Sequence, residues 1–282
     1  MQKSFKEDKP TLYIVSTPIG NLGDITYRAI EILKSVDIIL AEDTRTSGVL
    51  LSHYEIKTPM MSYHMHNASG RMPQMIEYLE QGKNLALISD AGTPGISDPG
   101  DEIIQRVIDA GFHVVAIPGA SALLAALLSS GLSLKSFTFI GFLPRKVGEL
   151  KNTLEDLKAS KETLIFYESP QRIKKTIDYL YEIFGNRAVA LCRELTKTFE
   201  SILRTDLKQA QAIEHDTRGE YVIVVSGNTD LHPYESMEVV ALVNHFINMG
   251  FEEKDALKQA AKAKKTTKSE IYKAYKIFQQ KT

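Results

Sequence analysis

Between residues 11 and 117, short apolar runs alternate with amphipathic stretches, and no other feature of the 282 residues restricts the fold as tightly. Leu12–Ser16, Asp37–Ala41, Leu85–Ser89 and His113–Ile117 are short, apolar and β-rich, as buried strands are. Helical stretches separate them. One begins after Asp24, a residue type that caps helices, and carries Ala29, Ile30, Leu33 and Val36 on one stripe. Others are expected over Thr44–His53, over Gly70–Gln81 with Gly82 as its stop, and over Pro99–Ala110 with Gly111 as its stop. Repeated strand–helix–strand order predicts an α/β domain with a largely parallel sheet.

After Pro118-Gly119 the pattern changes. An Ala/Leu helix runs to about Ser130. Strands are expected at Phe137–Phe142, Thr163–Tyr167, Arg187–Arg193, Phe199–Arg204 and Glu220–Ser226, with helices at about Val147–Ala159, Pro170–Phe184 and Thr205–Glu214. Arg187–Arg193 and Phe199–Arg204 lie too close for a helical crossover, so they should pair antiparallel in a mixed sheet. Three helices close the chain: Glu235–Met249, Glu252–Lys264, and one opened by the capping box Thr267-Lys-Ser-Glu270. Their tight turns suit a helix-turn-helix-like unit or a plain helical appendage. The expected division is residues 1–120, 121–230 and 231–282.

Composition narrows the classes. One cysteine, Cys192, rules out an internal disulfide, and no Cys/His spacing suits zinc. The charged run Met1–Pro10 lacks the apolar stretch of a signal peptide, and Ala120–Leu134 is too short and too rich in small residues to span a bilayer. A cytoplasmic location without a membrane partner is the expectation. Net charge is −1, yet Phe251–Thr282 holds nine Lys and four acidic residues, a local +5 that leaves −6 elsewhere. A basic tail on an acidic body hints at an anionic partner such as nucleic acid, while a solvated helical face explains the same charge.

Three loops rich in Gly, Pro and small polar residues follow expected strands: Ser16–Asp24, Ser89–Gly100 and Ile117–Ser121. Ligands bind at the carboxyl ends of strands in open α/β sheets, and glycine lets backbone approach them. Three such loops on one sheet predict a ligand cleft. The Walker A, Rossmann, zincin and nucleophile-elbow patterns are absent.

The loops carry a resemblance. Val15-Ser-Thr-Pro-Ile-Gly-Asn-Leu-Gly-Asp-Ile-Thr26, Ala41-Glu-Asp-Thr-Arg45, Tyr63-His-Met-His-Asn67, Ser89-Asp-Ala-Gly-Thr-Pro-Gly-Ile-Ser-Asp-Pro99 and Ile117-Pro-Gly-Ala-Ser-Ala122 resemble the tetrapyrrole methylase superfamily, in its branch of small-subunit ribosomal RNA methyltransferases. Phe166-Tyr-Glu-Ser-Pro170 and Cys192-Arg-Glu-Leu-Thr-Lys197 extend the likeness. It implies two α/β domains, a helix-turn-helix-like C-terminal segment, and S-adenosylmethionine held between the domains. It further implies methyl transfer to the 2′-hydroxyl of a cytidine in the decoding region of 16S rRNA within the small ribosomal subunit, by a homodimer.

By the resemblance, Pro18, Asp90, Gly92, Gly95, Ser121 and Ala122 border the cofactor, with Tyr167, Glu168, Arg193 and Glu194 added from the second domain. Ser89-Asp-Ala, where tetrapyrrole enzymes read Gly-Asp-Pro, favours the RNA branch. A ribose hydroxyl calls for a general base, for which Asp43, Glu42, His64, His66 and Glu194 are candidates, and Arg45 could hold a phosphate. Asp43 has a second reading, as the cap of the helix that starts at Thr44. Lys258, Lys262, Lys264, Lys265 and Lys268 are candidates for RNA phosphate contacts, while Arg145-Lys146 is only an isolated pair. Two competing functions stand beside this one: a small-molecule, tetrapyrrole-type methyltransferase, and a non-catalytic regulator that binds nucleic acid through its tail.

Overall fold

The computed structural model describes residues 2–4, 6–7, 9–64, 67–97, 100–228, 234, 237–264 and 266–279. Their contacts divide the chain into two compact units, residues 1–228 and 229–282.

The first unit holds two sheets. Strands β1 (Thr11–Val15), β2 (Ile38–Ala41), β3 (Met60–Ser62), β4 (Leu85–Ile88) and β5 (His113–Ile117) form an all-parallel sheet in the order β3-β2-β4-β1-β5. Helices α1 (Tyr27–Ser35), α2 (Thr44–His53), α3 (Ala68–Glu80) and α4 (Asp101–Asp109) supply the crossovers. Both faces of this sheet are buried, as a parallel sheet requires. Leu12, Ile14, Leu40, Leu85 and Leu87 pack on α3 and α4 from one face. Val15, Ile39, Ala41, Ala86, Ile88 and Ile117 pack with Ala29, Leu33 and Leu51 on the other.

The second sheet comprises β6 (Phe137–Phe142), β7 (Thr163–Glu168), β8 (Ala188–Arg193), β9 (Ser201–Asp206) and β10 (Tyr221–Val225), in the order β6-β7-β10-β8-β9. β6 and β7 run parallel and the other pairs antiparallel, including the expected β8–β9 pair. Helices α6 (Val147–Leu157), α7 (Ile173–Phe184) and α8 (Leu207–Ala212) cover one face, over Leu164, Phe166, Leu191 and Ile223. The other face meets α5 (Ala122–Ser130), whose Ala126 and Leu127 pack on Ile165, Ala190, Cys192 and Val224.

Two local expectations change. Asp24 does not cap α1. It ends a short 3-10 turn, Leu22–Asp24, which Asn21 caps, and the α1 cap is Thr26, whose hydroxyl accepts from the Ala29 N–H at 3.1 Å. The extra turn consumes the residues between loop and helix. β3 was not anticipated; it is three residues long and pairs through Ile39, Leu40 and Ala41.

The second unit is a helical cluster of its own. α9 (Val239–Asn248), α10 (Glu253–Ala263) and α11 (Lys268–Gln279) enclose Leu242, Val243, Phe246, Leu257, Ala260, Ile271 and Tyr275. The capping box at α11 is formed reciprocally: Glu270 N–H donates to the Thr267 hydroxyl at 3.3 Å, and Thr267 N–H to the Glu270 carboxylate at 3.2 Å. Replacing Thr26 by Ala should cost about 1 kcal/mol in urea denaturation, whereas Asp24→Ala should cost a few tenths at most. Equal losses would contradict the cap assignment.

Candidate functional site

The three glycine-rich loops meet above the carboxyl ends of β1, β4 and β5. Thr17 and Gly92 form an isolated antiparallel bridge, with Thr17 N–H donating to the Gly92 carbonyl at 2.8 Å and Gly92 N–H to the Thr17 carbonyl at 3.1 Å. The Thr17 hydroxyl also donates to the Ser89 carbonyl at 3.3 Å, and the Ser16 and Thr93 hydroxyls share a hydrogen bond of 2.8 Å. The third loop closes on the first: a Cβ on Gly119 would lie 2.8 Å from Ser16 Cβ. Gly92 adopts φ +80, which only glycine accepts cheaply, and a side chain there would press on Ile19.

Beside this junction lies a cavity of about 430 Å³, a volume suited to a small organic ligand. The first sheet contributes Ile19, Glu42, Asp90–Thr93, Ile96 and Ser97 from its loops, with Ser121 and Ala122 at the start of α5. The second sheet contributes Phe142, Tyr167–Pro170, Cys192 and Tyr221–Val222, with Leu195 and Glu220 beside them. Strand alternation explains the choice, since Tyr167, Cys192 and Val222 belong to the α5 face of that sheet. Tyr167 is held by edge-on contacts with Phe139 and Phe142, at ring separations of 4.9 and 5.7 Å.

Asp90, Gly92, Ser121, Ala122, Tyr167 and Glu168 thus stand together on one cavity, as does Glu42. The other expected residues sit outside its lining. Pro18 is buried between Thr17 and Ile19. Gly95, with φ +84, packs against Gly100. Arg193 turns away, donating to the Arg218 carbonyl at 2.9 Å and to Asp216 at 2.8 Å. Glu194 accepts from Lys197 at 2.8 Å and from the Glu220 N–H at 3.0 Å, and the Lys197 ammonium holds its carboxyl below the usual range.

Asp43 takes the capping role. Its carboxylate accepts from the Arg45 N–H at 2.8 Å, and Arg45 also grips it through Nε at 3.1 Å and Nη2 at 2.7 Å. The Arg45 side chain is therefore engaged with Asp43, though it remains exposed. These bonds pull the Asp43 pKa down to about 2, which makes it a weak proton acceptor. Its own N–H donates to Asp90 at 3.1 Å, tying β2 to the second loop. His64 lies just past β3 and is braced by Asn67, which accepts from the His64 N–H at 2.8 Å. His66 and Lys265 lie outside the described residues. Among the other tail lysines, Lys258 pairs with Asp255 at 3.1 Å, while Lys254, Lys262 and Lys273 are exposed.

The carboxylates on the cavity wall are largely compensated. Glu168 is buried yet accepts from Thr176 at 2.6 Å and from the Ser169 N–H at 2.8 Å, with Arg172 Nε at 3.4 Å. Glu220 pairs with Lys197 at 2.9 Å. Burial pushes the Cys192 thiol up to about 11, so it stays protonated and contributes shape. Among the described residues no group of His, Cys, Asp and Glu could hold a metal ion. Phe142, Cys192, Leu195, Tyr221 and Val222 were not anticipated. Of these, Cys192 and Leu195 lie in the stretch Cys192–Lys197 that carries part of the family likeness, which was the usable signal.

Residues 11–211 match the family described as Tetrapyrrole (Corrin/Porphyrin) Methylases. The chain is 48% identical over 277 residues to Ribosomal RNA small subunit methyltransferase I of Halalkalibacterium halodurans, with 96% of each chain covered. It is 46% identical over 288 residues to the Bacillus subtilis protein of the same name, with 99% of each covered. Among solved structures, a diphthine synthase aligns with TM-score 0.59 and 12% identity over 77% of this chain and 90% of its own. A uroporphyrin-III-C-methyltransferase from Thermus thermophilus aligns with TM-score 0.55 and 18% identity over 77% and 94%. Those two likenesses concern the fold alone.

The depressed Asp43 pKa carries a sign. The Arg45 contact favours the folded state fully above the unfolded value near 3.8, and that contribution fades as pH falls toward about 2. A carbon-detected NMR titration of Asp43 should find its midpoint near the lower value. A midpoint near 3.8 would mean that Arg45 does not hold it.

Proposed function

The chain belongs to the tetrapyrrole methylase family, and on that premise we propose that it methylates the 2′-hydroxyl of a cytidine in the decoding region of the 16S rRNA of the small ribosomal subunit. The methyl donor is S-adenosylmethionine, whose sulfonium makes the transferred methyl electrophilic. The cavity joined by the Thr17–Gly92 bridge and facing Tyr167 is the observation that carries this reading. Its glycines leave room for backbone to approach a nucleotide, and its volume suits one. The near-full-length likeness to proteins named for ribosomal RNA favours RNA over a tetrapyrrole ring as acceptor.

Charge compensation suits a cationic donor. A bare carboxylate against the sulfonium would favour the ground state, because positive charge disperses as the methyl leaves. Here Arg172 offsets Glu168, Lys197 offsets Glu220, and the Asp43 N–H occupies one Asp90 oxygen. Rate enhancement then comes mainly from holding the acceptor oxygen in line with the methyl carbon. Among the described candidate bases, Glu42 is the one that lines the cavity, and we assign it the ribose proton. Arg45, two residues from Asp43, is assigned a nearby phosphate once substrate competes with Asp43 for it.

The same reading divides the first unit into lobes of residues 1–120 and 121–230, with the helices of 231–282 as an RNA-facing tail. Packing of α5 on the second sheet supports the first boundary, and the exposed lysines of α10 and α11 support the tail's role. A homodimer is included, supported by the exposed leucines Leu124 and Leu128 one helical turn apart on α5. A cytoplasmic site of action follows from the ribosomal substrate. Among the described residues no helix is long and apolar enough to cross a membrane.

Small subunits lacking the modification, incubated with radiolabelled S-adenosylmethionine, should acquire label on a cytidine ribose. Unlabelled RNA under conditions where the protein binds the donor would overturn the proposal. Asp90→Ala should weaken donor affinity at least several-fold in calorimetry, with Asp43 losing its anchor. Glu42→Gln should keep that affinity while lowering kcat by about 10²–10⁴-fold. Full activity in Glu42→Gln would remove it from proton transfer.

A further inference from the structure

We propose that a second cavity, between α6 and α7, binds a backbone phosphodiester of the RNA substrate through Arg145 and Lys175. This rests on the function proposed above and names a contact that function requires beyond the reacting ribose.

The cavity measures about 510 Å³ and is lined by Arg145, Arg172, Lys175 and Asp178 among others. Its acids are already engaged. Asp178 faces Lys174 at 3.5 Å, and neighbouring Glu149 pairs with Lys146 at 3.0 Å. Arg145 and Lys175 are both exposed, and neither has a hydrogen-bond or ion-pair partner among the described residues. Two uncompensated cations around one hollow repel each other and raise the local potential until an anion joins them. Phosphodiester oxygens satisfy both a guanidinium fork and an ammonium.

Position links this hollow to the methyl-transfer cavity. Arg172 stands between them: its Nε faces Glu168 of the first cavity at 3.4 Å, and its Nη2 donates to the Leu143 and Pro144 carbonyls at 3.1 and 3.2 Å. Those carbonyls belong to the segment joining Phe142, on the first cavity's wall, to Arg145, on the second's. Three residues span at most about 11 Å, so a strand with its ribose in the first cavity has a neighbouring phosphate within reach of the second. Arg145-Lys146 reads as an isolated pair in sequence because its partner, Lys175, arrives from another helix.

The full-length variants R145Q, K175Q and the double variant test this beside wild type and a control, K34Q, on exposed α1. Three quantities are read: KM for small subunits, donor affinity by calorimetry, and the KCl dependence of subunit binding. The double variant should raise KM roughly tenfold and lower the slope of log affinity against log salt by about 1 to 2, with donor affinity and kcat kept. K34Q should match wild type, and K175R should match it more closely than K175Q. Unchanged KM and slope in the double variant, with wild type active, would overturn this inference alone. An equal loss in K34Q would do the same, by reducing the effect to overall charge. Wild type that binds donor but leaves RNA unlabelled would instead overturn the proposed function, and this contact with it.

Discussion

Two backbone hydrogen bonds between Thr17 and Gly92 hold together loops that leave neighbouring parallel strands. Loops after β1 and β4 have no partner strand beyond the sheet, and buried backbone groups left unpaired there would be costly. Pairing with each other satisfies them and fixes one wall of the cavity before any ligand arrives. A preformed wall spares the ordering entropy a mobile loop would lose on binding. The glycine at position 92 is a condition of that bridge, since its φ of +80 turns the chain back toward Thr17. Gly119 serves the third loop differently, by letting its backbone touch Ser16.

The carboxylates around this wall behave as fastenings as much as charges. Asp90 holds β2 through the Asp43 N–H, and Asp43 holds the first turn of α2 through the Arg45 N–H. Glu168, almost fully buried, joins the end of β7 to α7 through Thr176 and Arg172. A buried carboxylate with one partner removed would be strongly destabilising, so Glu168 is bound to its neighbours by energetics as well as geometry. The field that reaches the cavity is therefore weaker than the number of acidic residues suggests.

The alternation of strands and helices was readable because each parallel strand is buried on both faces and is apolar almost throughout. The loops were readable because glycine and proline cluster where strands end. The second sheet's share of the cavity was mostly hidden. Cys192 and Val222 face the cavity only because β10 inserts between β7 and β8, an order that local sequence does not encode. The likeness to relatives pointed to Tyr167 and Glu168, but also to Arg193 and Glu194, whose side chains the fold commits to Asp216, Lys197 and the Glu220 N–H. The capping contact of Asp43 with Arg45 depends on a side-chain geometry that the spacing of the two residues alone does not fix.

The segment after β8 shows how the second sheet is tied to the first. Glu194 and Thr196 both adopt positive φ, at 51 and 68, a conformation that costs about 1–3 kcal/mol at each non-glycine residue. What they secure is Lys197, which bonds to Glu194 and Glu220 while its stem lies against Gly20 of the first loop. A Cβ at Gly20 would collide with that stem, so a glycine in one loop and strain in another serve a single contact. Leu195, between the two strained residues, lines the cavity. One lysine thereby pairs with two carboxylates while its stem touches a loop of the other sheet, so a contact between the two sheets runs through a residue outside the cavity lining.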